Sequence, residues 1–458
     1  MPRVIVLLGL LLALTWPTIV RAQSWSTPTQ VSAPGWIGFD PQLAVDGGGA
    51  VTAVWSATDF GSLVVQASRF SSGAWSPPQT LSSPAVLSQG PHVAAGPGGT
   101  VIAVWTGDDG IEVTVQASVF NGVSWSVPVV VSNPAETAVT PRVVFEPSGA
   151  ATVVWLVDDA DDLVQASRNV GGIWSAPVAV SPPGGDAAWP QLAVDPLGVV
   201  TAVWDYDDGA SQTVQAARMS GGVWTAPVTL SGALGGSRPQ VTADSGGIAT
   251  AVWEANDGAN LIIQAARFSG GSWGPAETLS APGADCTEPS AAVDGGGAAT
   301  AVWLQASGLG FVIQAARYAG GGWAAPEDLS TPSTDACAPD VAAAGGETTA
   351  VWYRNDGASY LIEASRFVGS AWTTPVAISN PSADGNRPQV VIDANGVSTV
   401  VWESSTGGLP VIGAARFDPA AAPPAIPLMD DLMKLAFALV LASSALLVAR
   451  RRWRSITN

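Results

Sequence analysis

The chain has 458 residues and a formal net charge of −19, with 37 acidic residues against 18 lysines and arginines. Residues 23–425 hold 35 acidic residues, 11 arginines and no lysine, a net charge of −24. Such a segment repels nucleic acid and anionic lipid headgroups, which argues against both as its partners.

The chain begins with a predicted secretory signal peptide, residues 1–22. Arg3 precedes the apolar run "VIVLLGLLLAL", and the small-residue phrase "VRA" ends the segment. A positive start, a short apolar core and a small-residue cleavage site are the three parts of such a signal. We therefore expect export, with the mature chain beginning at Gln23.

Residues 23–418 consist of repeats with a period of 49 to 50 residues. Each repeat contains a phrase of the type "GGVWTAPVTL", a phrase "TAVW", a phrase "VQAAR" and a proline that opens an apolar run. The first phrase supplies Trp25, Trp75, Trp125, Trp174, Trp224, Trp273, Trp323 and Trp372. The second supplies Trp55, Trp105, Trp155, Trp204, Trp253, Trp303, Trp352 and Trp402. A period of this length predicts a ring or array of equal units.

Each repeat divides into four short pieces rich in Val, Ala and Thr and bounded by Gly, Pro, Asp or Ser, which is typical of strands joined by tight turns. The sequence therefore predicts an all-β fold, an eight-bladed β-propeller of four-stranded blades. The first "WSTP", at Trp25, has no blade before it, and the last blade ends at Phe417 without such a phrase. We expect the N-terminal strand to complete the last blade and close the ring, with both tryptophan series packed between blades.

A Pro/Ala linker at residues 419–425 leads to a tail at residues 426–458. The tail contains "IPLM", an apolar stretch predicted to form a transmembrane helix at about residues 432–449, and four arginines at 450, 451, 452 and 454. This order resembles the bacterial C-terminal sorting tails of the IPTL and PEP-CTERM kind. The arginine cluster predicts a cytoplasmic C-terminus by the positive-inside rule. The resemblance implies a bacterial protein held in the membrane until a sorting protease cuts the tail and passes the ectodomain to the surface. A plain single-pass anchor is the alternative.

The phrases "SGGSWGPAETLS" and "SSGAWSPPQTLS" resemble the BNR, or Asp-box, repeats of the sialidase superfamily, although the Asp of that box is missing from every copy. The resemblance implies the propeller fold. Sialidases bind their substrate's carboxylate with an arginine triad and use a Tyr nucleophile with a Glu partner and an Asp acid/base. Seven of the 11 arginines here occupy the repeated "QAAR" position, for which a structural role is sufficient. The others are Arg142, Arg238, Arg354 and Arg387.

Candidate ligand-binding residues flank the recurrent proline, where the repeats differ most. We expect this position to lie in loops on one rim, and it carries Asp40, His92, Arg142, Trp189, Arg238, Glu288, Asp340 and Arg387. Trp36 and Trp189 lie outside both tryptophan series and are candidates for stacking on a sugar ring. Arg142, Arg238 and Arg387 are candidates for pairing with an acidic ligand group. Loop packing is the alternative role for the two tryptophans.

Acidic turns lie between the second and third pieces of several repeats. The densest, "DDADD", contains Asp158, Asp159, Asp161 and Asp162. Several carboxylates could hold calcium, while Asp and Asn beside Gly also form tight hairpin turns without any metal. The sequence indicates no other cofactor.

Two cysteines, Cys286 and Cys337, occur three and two residues before the prolines of consecutive repeats. In an exported protein such a pair predicts a disulfide between neighbouring blades, with two free thiols as the alternative.

These patterns predict an exported, membrane-tethered or surface-sorted propeller. The favoured function is non-catalytic recognition of a glycan or protein. A sialidase-like glycoside hydrolase and a structural protein of the cell envelope are the alternatives.

Overall fold

The computed structural model describes residues 24–158, 161–308, 310–331, 335–355, 357, 359–405 and 408–420. Trp25–Phe417 form one compact unit, and its strands make eight separate antiparallel sheets. The all-β eight-bladed propeller is therefore confirmed. The second unit, residues 1–24 and 418–458, is described only at residues 24 and 418–420. The predicted signal peptide, the transmembrane helix and the sorting tail lie outside the described residues. Within the described part of the chain, no helix combines the length and apolarity needed to cross a membrane.

The inner strand of each blade contains the recurrent proline and contacts the inner strands of its two neighbours. The eight inner strands are Ile37–Val45, Leu87–Ala95, Ala138–Phe145, Asp186–Val194, Ser237–Ala243, Cys286–Val293, Asp335–Ala344 and Asp384–Ile392. A one-turn 3₁₀ helix, Pro97–Gly99, follows the second of them.

The second strand carries "AVW" and pairs with the inner and third strands. The second strands are Val51–Thr58, Val101–Asp108, Ala151–Val157, Val200–Asp207, Ala249–Asn256, Ala299–Ser307, Glu347–Asn355 and Ser398–Ser405. The third strands are Leu63–Ser71, Val113–Phe120, Leu163–Val170, Gln212–Ser220, Leu261–Ser269, Gly310–Ala319, Tyr360–Val368 and Val411–Phe417.

The outer strand is broken in two by the proline of "WSxP". A proline has no N–H to donate, so it is tolerated on an edge strand, where it also discourages pairing with another chain. The pieces at the tryptophan are Ala74–Trp75, Ile173–Trp174, Val223–Trp224, Ser272–Trp273, Gly322–Trp323 and Ala371–Trp372. The pieces after the proline are Thr29–Gln30, Gln79–Thr80, Val129–Val130, Val178–Ala179, Val228–Thr229, Glu277–Thr278, Glu327–Asp328 and Val376–Ala377.

The "AVW" tryptophans form the core between blades, and each is at most 1% exposed. Trp253, for example, packs with Val203 and Val214 of the preceding blade. One buried tryptophan removes about 150–250 Å² from water, worth roughly 4–6 kcal/mol as an upper estimate. The "WSxP" tryptophans are only half-buried. Each of them packs against one of the clusters between blades. The predicted packing of both series is therefore confirmed, but only the "AVW" series is fully buried.

A serine after each outer strand ties that strand to its blade. Its hydroxyl accepts a hydrogen bond of 2.8–3.0 Å from a backbone N–H of the third strand in all eight blades. The eight serines are Ser32, Ser82, Ser132, Ser181, Ser231, Ser280, Ser330 and Ser379.

The ring closes through the N-terminal strand. Thr29–Gln30 pair with Gly413 and Ala414 of the last third strand, and Trp25 forms an isolated bridge with Phe417. The predicted closure is confirmed, and it leaves the last blade with the same outer edge as the others.

The "QAAR" arginines have structural roles. Arg69 pairs with Asp46 in the turn after the inner strand, and Arg218 lies over the Phe268 ring of the next blade, 3.8 Å from its centroid. These contacts repeat around the ring. The repeated arginines therefore clamp neighbouring blades together.

Candidate functional site

A β-bulge interrupts every inner strand at the recurrent proline. The pairing register with the second strand shifts there in all eight blades. The residue before the proline has a left-handed backbone, with φ between 47° and 60°. The following proline disfavours that region, and so does the side chain in every blade but the second, which has Gly90. These residues are Asp40, Gly90, Thr140, Trp189, Arg238, Glu288, Ala338 and Arg387. A bulge re-aims the side chain of its extra residue.

All eight blades contribute to one cavity on the ring axis, with a volume of about 580 Å³. Its lining comes from the three residues before, at and after the proline. The expectation that these residues lie in inter-blade loops is wrong, because they lie inside the inner strands at the bulge. The sequence identified the residues, but their pairing register was not visible in it. The lining includes Asp40, His92, Arg142, Trp189, Gln191, Arg238, Glu288, Ser290, Ala338, Asp340 and Arg387.

The bulge is held by a polar side chain from the preceding blade, at the position just after the buried tryptophan. Glu403 accepts from the Asp40 N–H at 2.9 Å, and Glu254 accepts from the Glu288 N–H at 2.8 Å. Burial raises the pKa of both glutamates. The Ser56 hydroxyl accepts in the same way from the Gly90 N–H at 3.2 Å. Sequence reasoning missed this role because the position varies among Ser, Thr, Asp, Glu, Leu and Tyr from blade to blade.

The residues after the prolines form contacts around the axis. The His92 imidazole accepts at Nδ1 from the Val143 N–H, 3.3 Å away. Asp340 accepts from the Val390 N–H at 2.9 Å and from the Ser290 hydroxyl at 3.1 Å. Since each contact crosses to a neighbouring blade, these side chains hold the blades in place as well as lining the cavity.

Three arginines line the cavity, and they differ in their partners. Arg387 pairs with Asp40 and lies 3.6 Å from Glu403. Arg238 is 3.6 Å from Glu254 and lies over the Trp189 ring, 5.6 Å from its centroid. The third, Arg142, donates among the described residues to the neutral oxygens of Gln191 and Pro141.

Burial shifts the pKa values of three groups that line the cavity. It lowers the pKa of His92 to about 3, with the positive charge of Arg142 contributing. It also lowers the pKa of Arg142 and raises the pKa of Asp340 to about 6. A cluster of shifted groups in a cavity is a feature of functional sites.

The two candidate tryptophans have different positions. Trp189 lines the cavity and is 55% exposed. Trp36 is half-buried against the cluster around Trp55 and is not part of the cavity lining. Arg354, the remaining arginine outside the repeats, pairs with Glu363 at 2.7 Å and does not line the cavity.

The acidic turns use their carboxylates on their own backbone. Asp109 accepts from the N–H groups of Ile111 and Glu112, and Asp257 from those of Ala259 and Asn260. These hydrogen bonds lower the pKa of both aspartates. Of the predicted calcium ligands, Asp159 lies outside the described residues, and no group of three or more His, Cys, Asp or Glu among the residues that the structure describes is placed to hold a metal ion.

The predicted disulfide is not formed in the structure, where Cys286 and Cys337 are free thiols. Cys286 is buried in the cluster around Trp303, whereas Cys337 packs against the cluster around Trp352. The two lie at positions one residue apart relative to their prolines, and successive residues of a strand point to opposite faces. Burial raises the pKa of Cys286 to about 11.

No family model and no curated protein matches this chain. Solved structures similar to it include a protein of unknown function from Dyadobacter fermentans, at 12% identity and a TM-score of 0.46, over 87% of this chain and all of the other. An ulvan lyase, a polysaccharide lyase, has 9% identity and a TM-score of 0.48, over 86% and 93% of the two chains. A Hadza microbial sialidase has 11% identity and a TM-score of 0.38, over 69% and 76%. Similarity at this level assigns no activity and no site residue.

Proposed function

We propose that this protein is a non-catalytic recognition module that binds a glycan in the axial cavity. The observation that carries the proposal is one axial cavity that all eight blades line with residues that differ between blades, in a chain whose repeated tryptophans and arginines are committed to packing. A cavity of about 580 Å³ is within the range of small-molecule sites, roughly 300–1,000 Å³.

The chemistry of the lining suits a sugar better than an extended protein surface. Trp189 offers an exposed aromatic face, and arginines, carboxylates and Gln191 around it offer donors and acceptors for hydroxyl groups. Sugars present both an apolar ring face and a rim of hydroxyls, so stacking and hydrogen bonding act together.

Binding is favoured over sialidase-like hydrolysis by the residue types in the cavity. Its described lining contains no tyrosine, the residue type that serves sialidases as nucleophile. Tyr206 and Tyr353 belong to the second strands, where they pack between blades.

We further propose that the protein is exported and tethered to the membrane or sorted to the cell surface. The support is the sequence of residues 1–22 and 426–458, and such a location would present the cavity to extracellular glycans. Recovery of the protein in the cytoplasm with residues 1–22 intact would contradict it.

The test of the binding function is a glycan array with the full-length protein, followed by Trp189→Ala. Loss of a stacking face should lower the affinity for the best ligand about tenfold or more, equivalent to about 1.4 kcal/mol. Phe60→Ala is the matched control, because Phe60 is a 76% exposed aromatic in a hairpin turn away from the cavity.

Equal affinities of the wild-type and Trp189→Ala proteins, with unchanged melting curves, would place the site elsewhere. A sialoside hydrolysis assay on the same samples separates the two functions, since turnover would favour the hydrolase.

A further inference from the structure

Arg142 has a positive charge that the described residues do not neutralise. Its Nε donates to the Gln191 side-chain oxygen at 3.3 Å and its Nη1 to the Pro141 carbonyl at 3.1 Å. Neither partner carries a charge. The other two cavity arginines both have carboxylate partners, as described above.

Such an arrangement is unfavourable unless a ligand supplies the missing negative charge. Arg142 is half-buried and lines the cavity, so its guanidinium is partly desolvated and faces the cavity without a counter-charge. Arginine remains protonated even where burial lowers its pKa. The cavity wall at Arg142 therefore attracts an anion.

His92 adds a neutral donor beside this charge. Its Nδ1 accepts from the N–H of Val143, the residue after Arg142, so the imidazole proton lies on Nε2. With its pKa lowered to about 3, the ring is neutral at physiological pH. Both side chains line the cavity, and an anion bound to Arg142 meets a second donor in His92.

The opposite wall of the cavity is acidic. Asp340 belongs to the seventh blade, four blades from Arg142 in a ring of eight, and Glu288 belongs to the sixth. Neither has an ion-pair partner within the described part of the chain. Their oxygens can accept from sugar hydroxyls, and their charge repels a second anionic group.

We propose that Arg142 and His92 form an anion subsite and that the cavity takes a saccharide with a single carboxylate, of the uronic acid class. A planar carboxylate matches the two-pronged donor geometry of a guanidinium. This inference rests on the proposed glycan function and specifies its ligand.

His92 is the only histidine of the chain, so one imidazole signal in an NMR spectrum of untagged, histidine-labelled full-length protein reports on the subsite. Glucuronate should shift this signal and raise the pKa of His92, because the bound carboxylate offsets the charge of Arg142. Glucose should bind at least tenfold more weakly. In Arg142→Gln the glucuronate response should weaken at least tenfold, while Arg142→Lys, which keeps the charge, should retain part of it.

Acetate serves as an anion without a sugar. Equal responses to glucose and glucuronate, or a glucuronate response that survives in a folded Arg142→Gln protein, would overturn the anion subsite and leave the glycan function standing. A response to acetate but to neither sugar would overturn the saccharide, and the proposed function with it. If the His92 signal shifts with none of the three probes, the subsite is overturned. If Arg142→Gln does not fold, the subsite is tested by the glucuronate response of Arg142→Lys and by the change in the pKa of His92 when glucuronate binds to the wild-type protein.

Discussion

The Ser32 hydroxyl accepts a 2.9 Å hydrogen bond from the Ile412 N–H, although the two residues are 380 positions apart in the chain. The same bond joins Ser82 to Val65 at 2.9 Å within the first blade. The N-terminal strand therefore supplies to the last blade what every other blade receives from its own outer strand.

Removal of this strand should open the ring. Deletion of residues 25–32 exposes the edge of Val411–Phe417 and uncovers apolar side chains, so we expect aggregation and a large fall in melting temperature. Calorimetry and light scattering measure both. A deletion variant that melts like the wild-type protein would show that the strand does not stabilise the closed ring.

A finer test compares Ser32→Ala with Ser82→Ala. Each leaves a buried N–H without a partner, which costs about 1–3 kcal/mol. Equal losses in free energy of unfolding are expected, because the two bonds are equivalent. A loss only in Ser82→Ala would contradict the docked N-terminal strand.

The two kinds of tryptophan should differ in stability. Trp253→Ala should cost about 3–5 kcal/mol, because the ring is wholly buried between blades and leaves a cavity. Trp189→Ala should cost under about 1 kcal/mol, because its ring is exposed. Urea unfolding of both variants measures the difference. Equal losses would contradict the assignment of Trp253 to the core and of Trp189 to the exposed cavity lining.

The number of blades and the ring closure could be predicted because they depend on periodicity alone. The phrase at Trp25 lacks a blade and the blade ending at Phe417 lacks a phrase, so the sequence itself indicates which strand closes the ring. The packing between blades could be predicted as well, because the tryptophans of "AVW" recur at the same position in every repeat.

The geometry of the site could not be predicted, because it depends on a one-residue shift in strand pairing. Trp36 and Trp189 are equally irregular in the sequence, but only Trp189 is the residue at a bulge. A proline inside a strand was the available signal for a bulge, since proline cannot donate to a central ladder.

Asp340 should make stability depend on pH. Its pKa rises from 3.8 to about 6 on folding, so the folded state binds the proton more tightly than the unfolded state. Stability contributed by this group is present below about pH 4 and is lost as the pH rises to about 6. In Asp340→Asn this loss of stability does not occur, because asparagine does not ionise.

Relative to the wild-type protein, Asp340→Asn should therefore gain about 1–3 kcal/mol between pH 4 and pH 7.5, at 1.36 kcal/mol per pKa unit. Urea midpoints at the two pH values measure this. Asp59→Asn is a control of opposite sign, because backbone hydrogen bonds lower the pKa of the exposed Asp59. A pH-independent difference for Asp340→Asn would show that the carboxyl is not desolvated in the folded protein.

The bulges should store strain wherever the residue before the proline is not glycine. Gly90 occupies this position in the second blade at φ 60°, and a Cβ added there meets no atom within 4 Å. Gly90→Ala therefore isolates the backbone effect. An L-residue in the left-handed conformation costs about 1–2 kcal/mol. Alanine also lowers the entropy of the unfolded chain, which stabilises the protein by about 0.4–1 kcal/mol, so the free energy of unfolding should fall by about 0.5–1 kcal/mol.

The reverse change, Ala338→Gly at φ 49°, should raise the free energy of unfolding by a similar amount. Ala342→Gly in the regular part of the same strand should lower it, because glycine there loses more entropy on folding and leaves the side-chain contact unfilled. Denaturant unfolding of the three variants gives the comparison. Stabilisation by Gly90→Ala, or destabilisation by Ala338→Gly as large as that by Ala342→Gly, would mean that the left-handed bulge is not the conformation of this strand.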